Sequence, residues 1–392
     1  MAETSPTVDV TGITLEHCKD YQEMSACVDG DKIWFRFPLF LEIEPRAELF
    51  LVPAMLESMV RGVPVHIKDD IEISDQLAHM YREIQAVLKS WNDDFLIAPL
   101  QAKTRKNFPV TDNIICCFSG GIDSTYTFGH FRDDITHLLL VKAFENWDKE
   151  NSWEKNMADR KAFALSQNKK IITVDTNIRA YCDARKFEFS LVHGSLLSVI
   201  GITLNPKVML IPSSYSYTTL HPHGSHPLLD PLWATENTHI IHHGCAASRC
   251  EKTEYIAEDQ ILLDQLQVCW KSSYNNCGEC PKCLRTSLAL KIMGKKCARL
   301  PEPTGADPYK QLALNDAQGL YFLEELVELC KANDNTDIRS HLERIIRTFK
   351  IKVFFHNIAK FILGSPGRKL SRLFRKNAWY TARASTLSNR VD

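Results

Sequence analysis

The segment that most constrains this chain is an apolar run at residues 114–118, followed at once by Ser119, Gly120, Gly121, Ile122, Asp123 and Ser124, and then by a helical pattern over 125–131. A short apolar run closed by glycines reads as a buried strand, so the three pieces together read as strand, loop and helix. Two adjacent glycines let the loop backbone take conformations barred to other residues and turn successive N–H groups inward as an anion nest. The helix that follows aims its unpaired N–H groups and positive dipole end at the same point, worth up to ~2 kcal/mol when partly buried. The hydroxyls of Ser119, Ser124 and Thr125 add donors, and the whole is suited to a polyphosphate. The loop has neither the Gly-x-x-x-x-Gly-Lys-Ser/Thr spacing of kinases and motor ATPases nor the Gly-x-Gly-x-x-Gly dinucleotide fingerprint.

Around this loop the pattern is of short apolar strands separated by helices, at 114–118, 137–143, 170–174, 208–212 and 239–242. Strands that are apolar without alternation belong in a sheet covered on both faces, so the expected class is α/β with a doubly wound, mainly parallel sheet. Ligands then belong at the carboxyl ends of the strands, where Ser213 and Ser214 follow the fourth strand. Three segments are expected: a small α/β region at 1–108, the core at 109–297, and a helical, basic region at 298–392. The first should hold strands at 32–37, 63–67 and 95–100, and helices at 47–60 and 75–91.

With 47 basic against 48 acidic residues, the molecule carries no net field that would demand nucleic acid or a membrane. The imbalance is local: residues 339–392 hold thirteen Lys or Arg against Glu343 and Asp392. That tail offers a surface for nucleic acid, a protein or a membrane, beside the plainer reading of a solvated helix packing its aromatics on the body. The amino terminus has no targeting pattern and no stretch approaches a membrane span, so a cytoplasmic location is expected.

Thirteen cysteines, an odd number scattered over a long chain, argue for reduced thiols rather than a disulfide scaffold. Four of them cluster: Cys269, then Cys277, Cys280 and Cys283 in the run Cys-Gly-Glu-Cys-Pro-Lys-Cys. Two-residue spacings let neighbouring thiolates converge on one ion, and Gly278 and Pro281 supply the turns. Four thiolates leave no open position, so the metal would be structural, with Zn2+ preferred over an iron–sulfur centre.

The Ser-Gly-Gly-x-Asp-Ser sequence between a first core strand and helix resembles the hallmark of PP-loop ATP pyrophosphatases, with their adenine nucleotide alpha-hydrolase-like (HUP-like) fold. Together with Lys252-Thr253-Glu254-Tyr255-Ile256 and the four cysteines, it is similar to 7-cyano-7-deazaguanine synthases of the queuosine pathway over roughly residues 112 to 290. The resemblance implies that Ser119, Gly120, Gly121, Ile122, Asp123, Ser124 and Thr125, with Ser213 and Ser214, bind ATP. It also implies that Asp123 orients the loop or a Mg2+ ion, and that Lys252 lies near the nucleotide. Arg249, one helical turn before Lys252, would join it in stabilising charge on the phosphates. The implied activity is that of an adenylating synthase or ligase. A substrate carboxylate or carbonyl oxygen is activated with release of pyrophosphate, and an amine or ammonia then displaces AMP. The substrate would be a small carboxylate or deazapurine-like molecule, and a homodimer is compatible with the pattern. Two departures stand out. The first cysteine spacer is about one residue shorter than usual, and residues 224–233 do not follow the deazaguanine enzymes.

Two other readings stay open. A sulfur-inserting enzyme acting on a nucleotide or RNA would need a reactive thiol outside the cysteine cluster, for which Cys116, Cys117 and Cys182 are the candidates. A sensor or scaffold would bind ATP without turnover. His221, His223, His226, His239, His242 and His243 could supply a base near neutral pH, Arg285 resembles Arg249 in setting, and His193-Gly194-Ser195 opens a helix that either caps itself or approaches the nucleotide.

Overall fold

In the computed structural model, residues 6–142, 152–271, 275–302, 312, 314 and 317–362 are described. The chain forms two compact units, one of residues 1–247 with 265–275 and one of 248–264 with 276–392. These cuts differ from the expected segments 1–108, 109–297 and 298–392. The physical reason is that the amino-terminal strands extend the core sheet instead of forming a region of their own.

The first unit is α/β. Its ten-stranded sheet is built from β1 (Val8–His17), β2 (Gln22–Val28), β3 (Asp31–Phe37), β4 (Val65–Ile67), β6 (Leu100–Gln101), β8 (Thr111–Cys117), β9 (His137–Val141), β10 (Lys170–Thr176), β11 (Pro206–Pro212) and β12 (His239–His243). Their order is β12-β11-β8-β9-β10-β3-β2-β1-β4-β6, with β5 (Ile73–Ser74) and β7 (Thr104–Arg105) paired separately. The block from β12 to β10 is parallel throughout, as are the pairs β1 with β4 and β4 with β6. Only the meander β1-β2-β3 and its junction with β10 are antiparallel. The sheet is therefore mostly parallel, as the unalternating apolar strands required; β9, His-Leu-Leu-Leu-Val, is buried at every position.

The meander of β1 and β2 was not foreseen, because β2 carries Gln22, Glu23 and Ser25 at buried positions. Each polar group is satisfied where it sits. The Gln22 amide donates to the carbonyls of Pro38 at 2.9 Å and Leu41 at 2.7 Å, and Glu23 accepts from Lys32 and Arg36, each at 2.9 Å. Where β10 ends, the Asn177 side chain prolongs the ladder: its Oδ1 accepts from Trp34 N at 3.0 Å and its Nδ2 donates to Lys32 O at 2.9 Å. One hydrophobic core, running from Val8 through Phe35 and Val174 to Ile240, joins the meander to the parallel block.

The helices α1 (Leu51–Arg61), α2 (Asp75–Trp91), α3 (Ile122–His130), α4 (Ser152–Ser166), α5 (Ile178–Arg185) and α6 (His193–Thr203) belong to this unit. The helix α2 matches its expected span because its signals agree: Ser74 Oγ accepts from Leu77 N at 3.0 Å, and Leu77, Tyr81, Ile84, Leu88 and Trp91 are buried at helical spacing. The expected helix at 47–60 begins as a 3-10 turn over Ala47–Phe50 and ends at Gly62, whose φ of 70° closes it. The strand expected at 95–100 shrinks to Leu100–Gln101, and the end of the one expected at 137–143 lies outside the described residues.

The second unit is helical: α7 (Arg249–Ala257), α8 (Gln260–Leu263), α9 (Pro281–Ile292), α10 (Ala317–Ala332) and α11 (Thr336–Ile362). Its core includes Leu284, Leu288, Leu323, Leu326, Leu342 and Ile346. Among the described side chains of the tail, Phe349 is half-buried, whereas Phe354 and Phe355 are 60% and 62% exposed. Residues 363–392, most of the basic stretch, lie outside the described residues. No helix among the described residues is long and apolar enough to cross a membrane.

Asn177→Ala should lower the stability of the first unit by about 1–2 kcal/mol, since two backbone groups lose their partner at a half-exposed site. Urea denaturation followed by tryptophan fluorescence measures this, and an unchanged midpoint would show that the side chain adds nothing to the junction.

Candidate functional site

The strand β8 lies between β9, the next strand in sequence, and β11, reached only after β9 and β10. The chain thus leaves β8 toward one side and later returns to the other, which opens a crevice at its carboxyl end. The segment 119–124 stands there, directly between β8 and α3. Gly120 has a φ of 80°, and its nitrogen donates to Ser124 Oγ at 3.0 Å while its carbonyl accepts from Gln267 N at 2.8 Å. Ser124 Oγ in turn donates to Gly121 O at 3.2 Å, and Gly121 N donates to Ser119 Oγ at 3.4 Å. The hydroxyls of Ser119 and Ser124 are therefore engaged inside the loop, where the sequence suggested spare donors. They hold the amides of Gly120 and Gly121.

The start of α3 is different. Gly121 is its N-cap residue, no side chain caps it, and Asp123 lies in its first turn. First-turn amides have no intrahelical acceptor, so an anion at this point would meet both unpaired N–H groups and the helix dipole. Thr125 Oγ1, fully buried one turn into the helix, has no hydrogen-bond partner among the described residues. The guanidinium of Arg160 lies against the loop and donates through Nη1 to Gln265 O at 2.9 Å. A Cβ at Gly120 would stand 2.1 Å from that Nη1, so the glycine is required by contact as well as by its φ. Sequence reasoning missed Arg160, which has no motif around it.

Ser213 and Ser214 follow β11 on the same carboxyl edge, since β8 and β11 are parallel. Ser213 is buried, with Oγ donating to Tyr215 O at 2.6 Å and accepting from the Cys245 thiol at 3.1 Å. Nearby, the rings of Tyr215 and His221 are 4.1 Å apart, those of Tyr215 and His223 5.1 Å, and those of His193 and His223 4.7 Å. At the start of α6, Ser195 Oγ accepts from the Trp233 indole at 2.9 Å, so it caps no helix. Gly194 N donates to Gly224 O at 2.8 Å, and a Cβ on Gly194 would lie 2.3 Å from that oxygen.

That close approach fixes the segment 224–233, the one that departs from the resembling enzymes. It carries Asp230, whose Oδ2 is 2.7 Å from His242 Nδ1 with both side chains buried. Ser225 Oγ also donates to Oδ2 at 3.0 Å, and His226 N to Oδ1 at 3.3 Å. Burial alone would lower the pKa of His242, but hydrogen bonds to Asp230 and Cys245 and the charges of both push it up to about 9. The surrounding imidazoles go the other way: burial, aided by neighbouring histidines, pulls His223 down to about 3 and His226 down to about 4. Burial likewise lowers His193. One imidazolium is thus set among neutral rings.

The candidate thiols of a sulfur-inserting enzyme have the wrong character. Burial raises the pKa of Cys116 and Cys117, and pushes Cys182 up to about 12, so all three stay protonated at neutral pH.

Lys252 and Arg249 belong to the second unit, on α7. Ser248 and Glu251 form a capping box that starts this helix, with Glu251 N donating to Ser248 Oγ at 3.2 Å and Ser248 N to Glu251 Oε2 at 2.7 Å. Lys252 is 1% exposed. The backbone of Arg249 donates to Glu325 Oε2 at 2.9 Å, and the guanidinium groups of Arg249 and Arg285 stand 5.5 and 4.3 Å from the Phe322 ring. Arg285 is therefore a stacked side chain in this unit. Burial raises the pKa of Glu325 despite that backbone hydrogen bond.

The ligand atoms of Cys269, Cys277, Cys280 and Cys283 all lie within 4.8 Å of one another, close enough to hold one metal ion such as zinc. Gly278, with φ of 70°, turns the chain so that Glu279 N and Cys280 N donate to Cys277 Sγ at 3.4 and 3.2 Å, while Cys283 N donates to Cys280 Sγ at 3.5 Å. Amides aimed at sulfur stabilise its anionic form and fix its direction, which is the support a thiolate ligand needs.

Comparison with protein-family models, with curated proteins and with solved structures gave no match. Two outcomes follow from the geometry. Purified protein should contain a stoichiometric zinc ion by elemental mass spectrometry, and Cys280→Ser should lose it and melt at lower temperature; a metal-free wild type with the same melting point as the variant would dismiss the site. Stability should also peak near pH 6.5. Below that value His223 and His226 take up protons only when unfolded, and above it His242, raised to about 9, keeps a proton that the unfolded chain has lost. The alkaline loss is on the order of 3 kcal/mol. Thermal melts from pH 4 to 9 test this, with the slope between about pH 7 and 8.5 lost in His242→Asn, while the buried thiols add their own slope above that range in both proteins.

Proposed function

We propose that this protein is an ATP-dependent adenylating synthase or ligase of the PP-loop type, resembling 7-cyano-7-deazaguanine synthases. The observation that carries the reading is the uncapped start of α3 behind a glycine loop, set at the carboxyl end of β8 where the sheet order reverses. Anion binding is the natural use of such a point, and pyrophosphate is the part of ATP that it suits.

In this reading Ser119, Gly120, Gly121, Ile122, Asp123, Ser124 and Thr125 grip the phosphates, with Thr125 Oγ1 a buried hydroxyl whose hydrogen bonds are still to be made. Ser213 and Ser214 stand at the end of β11 beside the rest of the nucleotide, the amide and hydroxyl of Ser213 being already committed to His243 O and Tyr215 O. Asp123, Lys252 and Arg249 keep the roles that the resemblance implies, orienting the loop or a metal and neutralising charge on the phosphates. Mg2+ would neutralise the phosphates as the oxygen attacks, and Zn2+ on the four cysteines would be structural. The substrate is a small carboxylate or deazapurine-like molecule. Its oxygen displaces pyrophosphate from the alpha phosphorus, and an amine or ammonia then displaces AMP. The basic tail would contact nucleic acid, protein or a membrane surface, the enzyme would act in the cytoplasm, and it would work as a monomer or homodimer.

The sulfur-inserting alternative is weakened by three buried, protonated thiols. The ATP-binding sensor is separated from an enzyme by turnover. Incubation with ATP, Mg2+ and a panel of carboxylates that includes deazapurines should give substrate-dependent AMP and pyrophosphate by mass spectrometry. Gly120→Ala, which drives a methyl group into Arg160, should slow this about 100-fold while leaving the zinc content unchanged. Release of ADP alone would reject the adenylating reading, and tight ATP binding with no AMP would favour the sensor.

A further inference from the structure

We infer that the outward face of α11, led by Ile351, Phe354 and Phe355, docks on the surface of an anionic phospholipid bilayer. This narrows the partners proposed for the basic tail to one, and it stands or falls without regard to adenylation.

A surface helix of a globular protein has one apolar stripe, turned to the core, and α11 has two apolar faces. The first carries Leu342 and Ile346, which share a core with Leu323 and Leu326 of α10. The second holds Ile351, Phe354 and Phe355 at i, i+3 and i+4 spacing, so the three side chains are neighbours. Ile351 stands about two and a half turns after Leu342, which puts it on the far side of the helix. It is 49% exposed, and the two phenylalanines are more so. Their rings meet edge to face with centroids 5.8 Å apart, forming one ridge. Beside the ridge runs a cleft of about 720 Å3, whose lining includes the buried Val327 and Ile346. Large apolar groups that adjoin one another on a surface mark an interaction site.

Charge decides what kind of partner fits. The acids that line the cleft are already neutralised within the unit: Glu324 pairs with Lys350 at 2.9 Å, Glu328 with Lys331 at 2.7 Å and Glu343 with Arg339 at 2.8 Å. Arg344, Arg347 and Lys352 are exposed and make no ion pair among the described residues. Beyond Phe355 the sequence continues with eight Lys or Arg and a single acid, Asp392. The partner must therefore be anionic and must also accept aliphatic and aromatic side chains.

A nucleic acid would satisfy the cations, but base stacking needs a flat ring and gives Ile351 nothing. A partner helix seats its apolar side chains in a groove, whereas here the largest apolar groups stand out at the rim. The boundary of a bilayer meets both demands at once: rings and aliphatic groups enter the acyl edge while Lys and Arg stay among anionic head groups. The described helices are too short in apolar residues to cross the bilayer, so the contact is peripheral.

The test uses the full chain with no nucleotide or substrate present. Protein is sedimented with vesicles of phosphatidylcholine alone, or with about one third of the lipid replaced by phosphatidylglycerol. Binding should be about 100-fold tighter to the anionic vesicles and should weaken as salt is raised. Phe354→Ser combined with Phe355→Ser should weaken it about 100-fold, and Arg344→Ala combined with Arg347→Ala about 30-fold. Both variants change exposed side chains, so their melting temperatures should match the wild type. Wild-type protein that binds neither kind of vesicle, or both alike, would overturn the inference. Full binding by the phenylalanine variant would overturn it too, by assigning the attraction to charge alone. Two further outcomes would replace the bilayer with another partner: an RNA oligonucleotide bound through the same phenylalanines, or a dimer that they hold together, in either case with no vesicle bound.

Discussion

The placement of β8 between β9 and β11 is the constraint from which the candidate site follows. Parallel strands must be joined by crossovers, and a chain that goes first to one side and then to the other leaves the carboxyl end of its starting strand uncovered. The glycine loop and the start of α3 occupy that end, and the termini of β11 and β12 are the adjoining wall. The glycine loop, Thr125 and Ser213 owe their common edge to this reversal. The amino-terminal meander adds no chemistry of its own, but its union with β10 through Asn177 makes it part of the same sheet.

The ion pair of Asp230 and His242 is a second, more local constraint. Two charges removed from water repay their desolvation only when the remaining polar atoms are satisfied. Ser225 and the backbone of His226 do this for the carboxylate. The arrangement depends on backbone contact between Gly194 and Gly224, where no side chain larger than hydrogen fits. A pair of glycines thirty residues apart in sequence therefore holds the segment that brings Asp230 to His242.

Much of the architecture was legible because periodicity and turn chemistry agreed: the unalternating parallel strands, the helix after Ser74, and the clustered cysteines. What stayed hidden was polar burial. Gln22 and Glu23 disguise β2 as a loop, since their partners come from neighbouring strands that a one-dimensional pattern cannot pair. The site was legible to a similar degree. Ser119 to Ser124 could be found as a motif, whereas Arg160 and Cys245 meet their partners through the fold alone. Asp230 lay within the segment that departs from the resembling enzymes, and only its approach to His242 gives it meaning.

The hydroxyls of Ser119 and Ser124 have a further consequence for this loop. By occupying the amides of Gly120 and Gly121 they keep the backbone satisfied when nothing is bound, so an incoming anion must exchange existing hydrogen bonds for its own. Such an exchange holds the loop in shape between visits and caps the net grip on any phosphate. In the proposed reaction that ceiling would let the leaving group go instead of holding it in a trap.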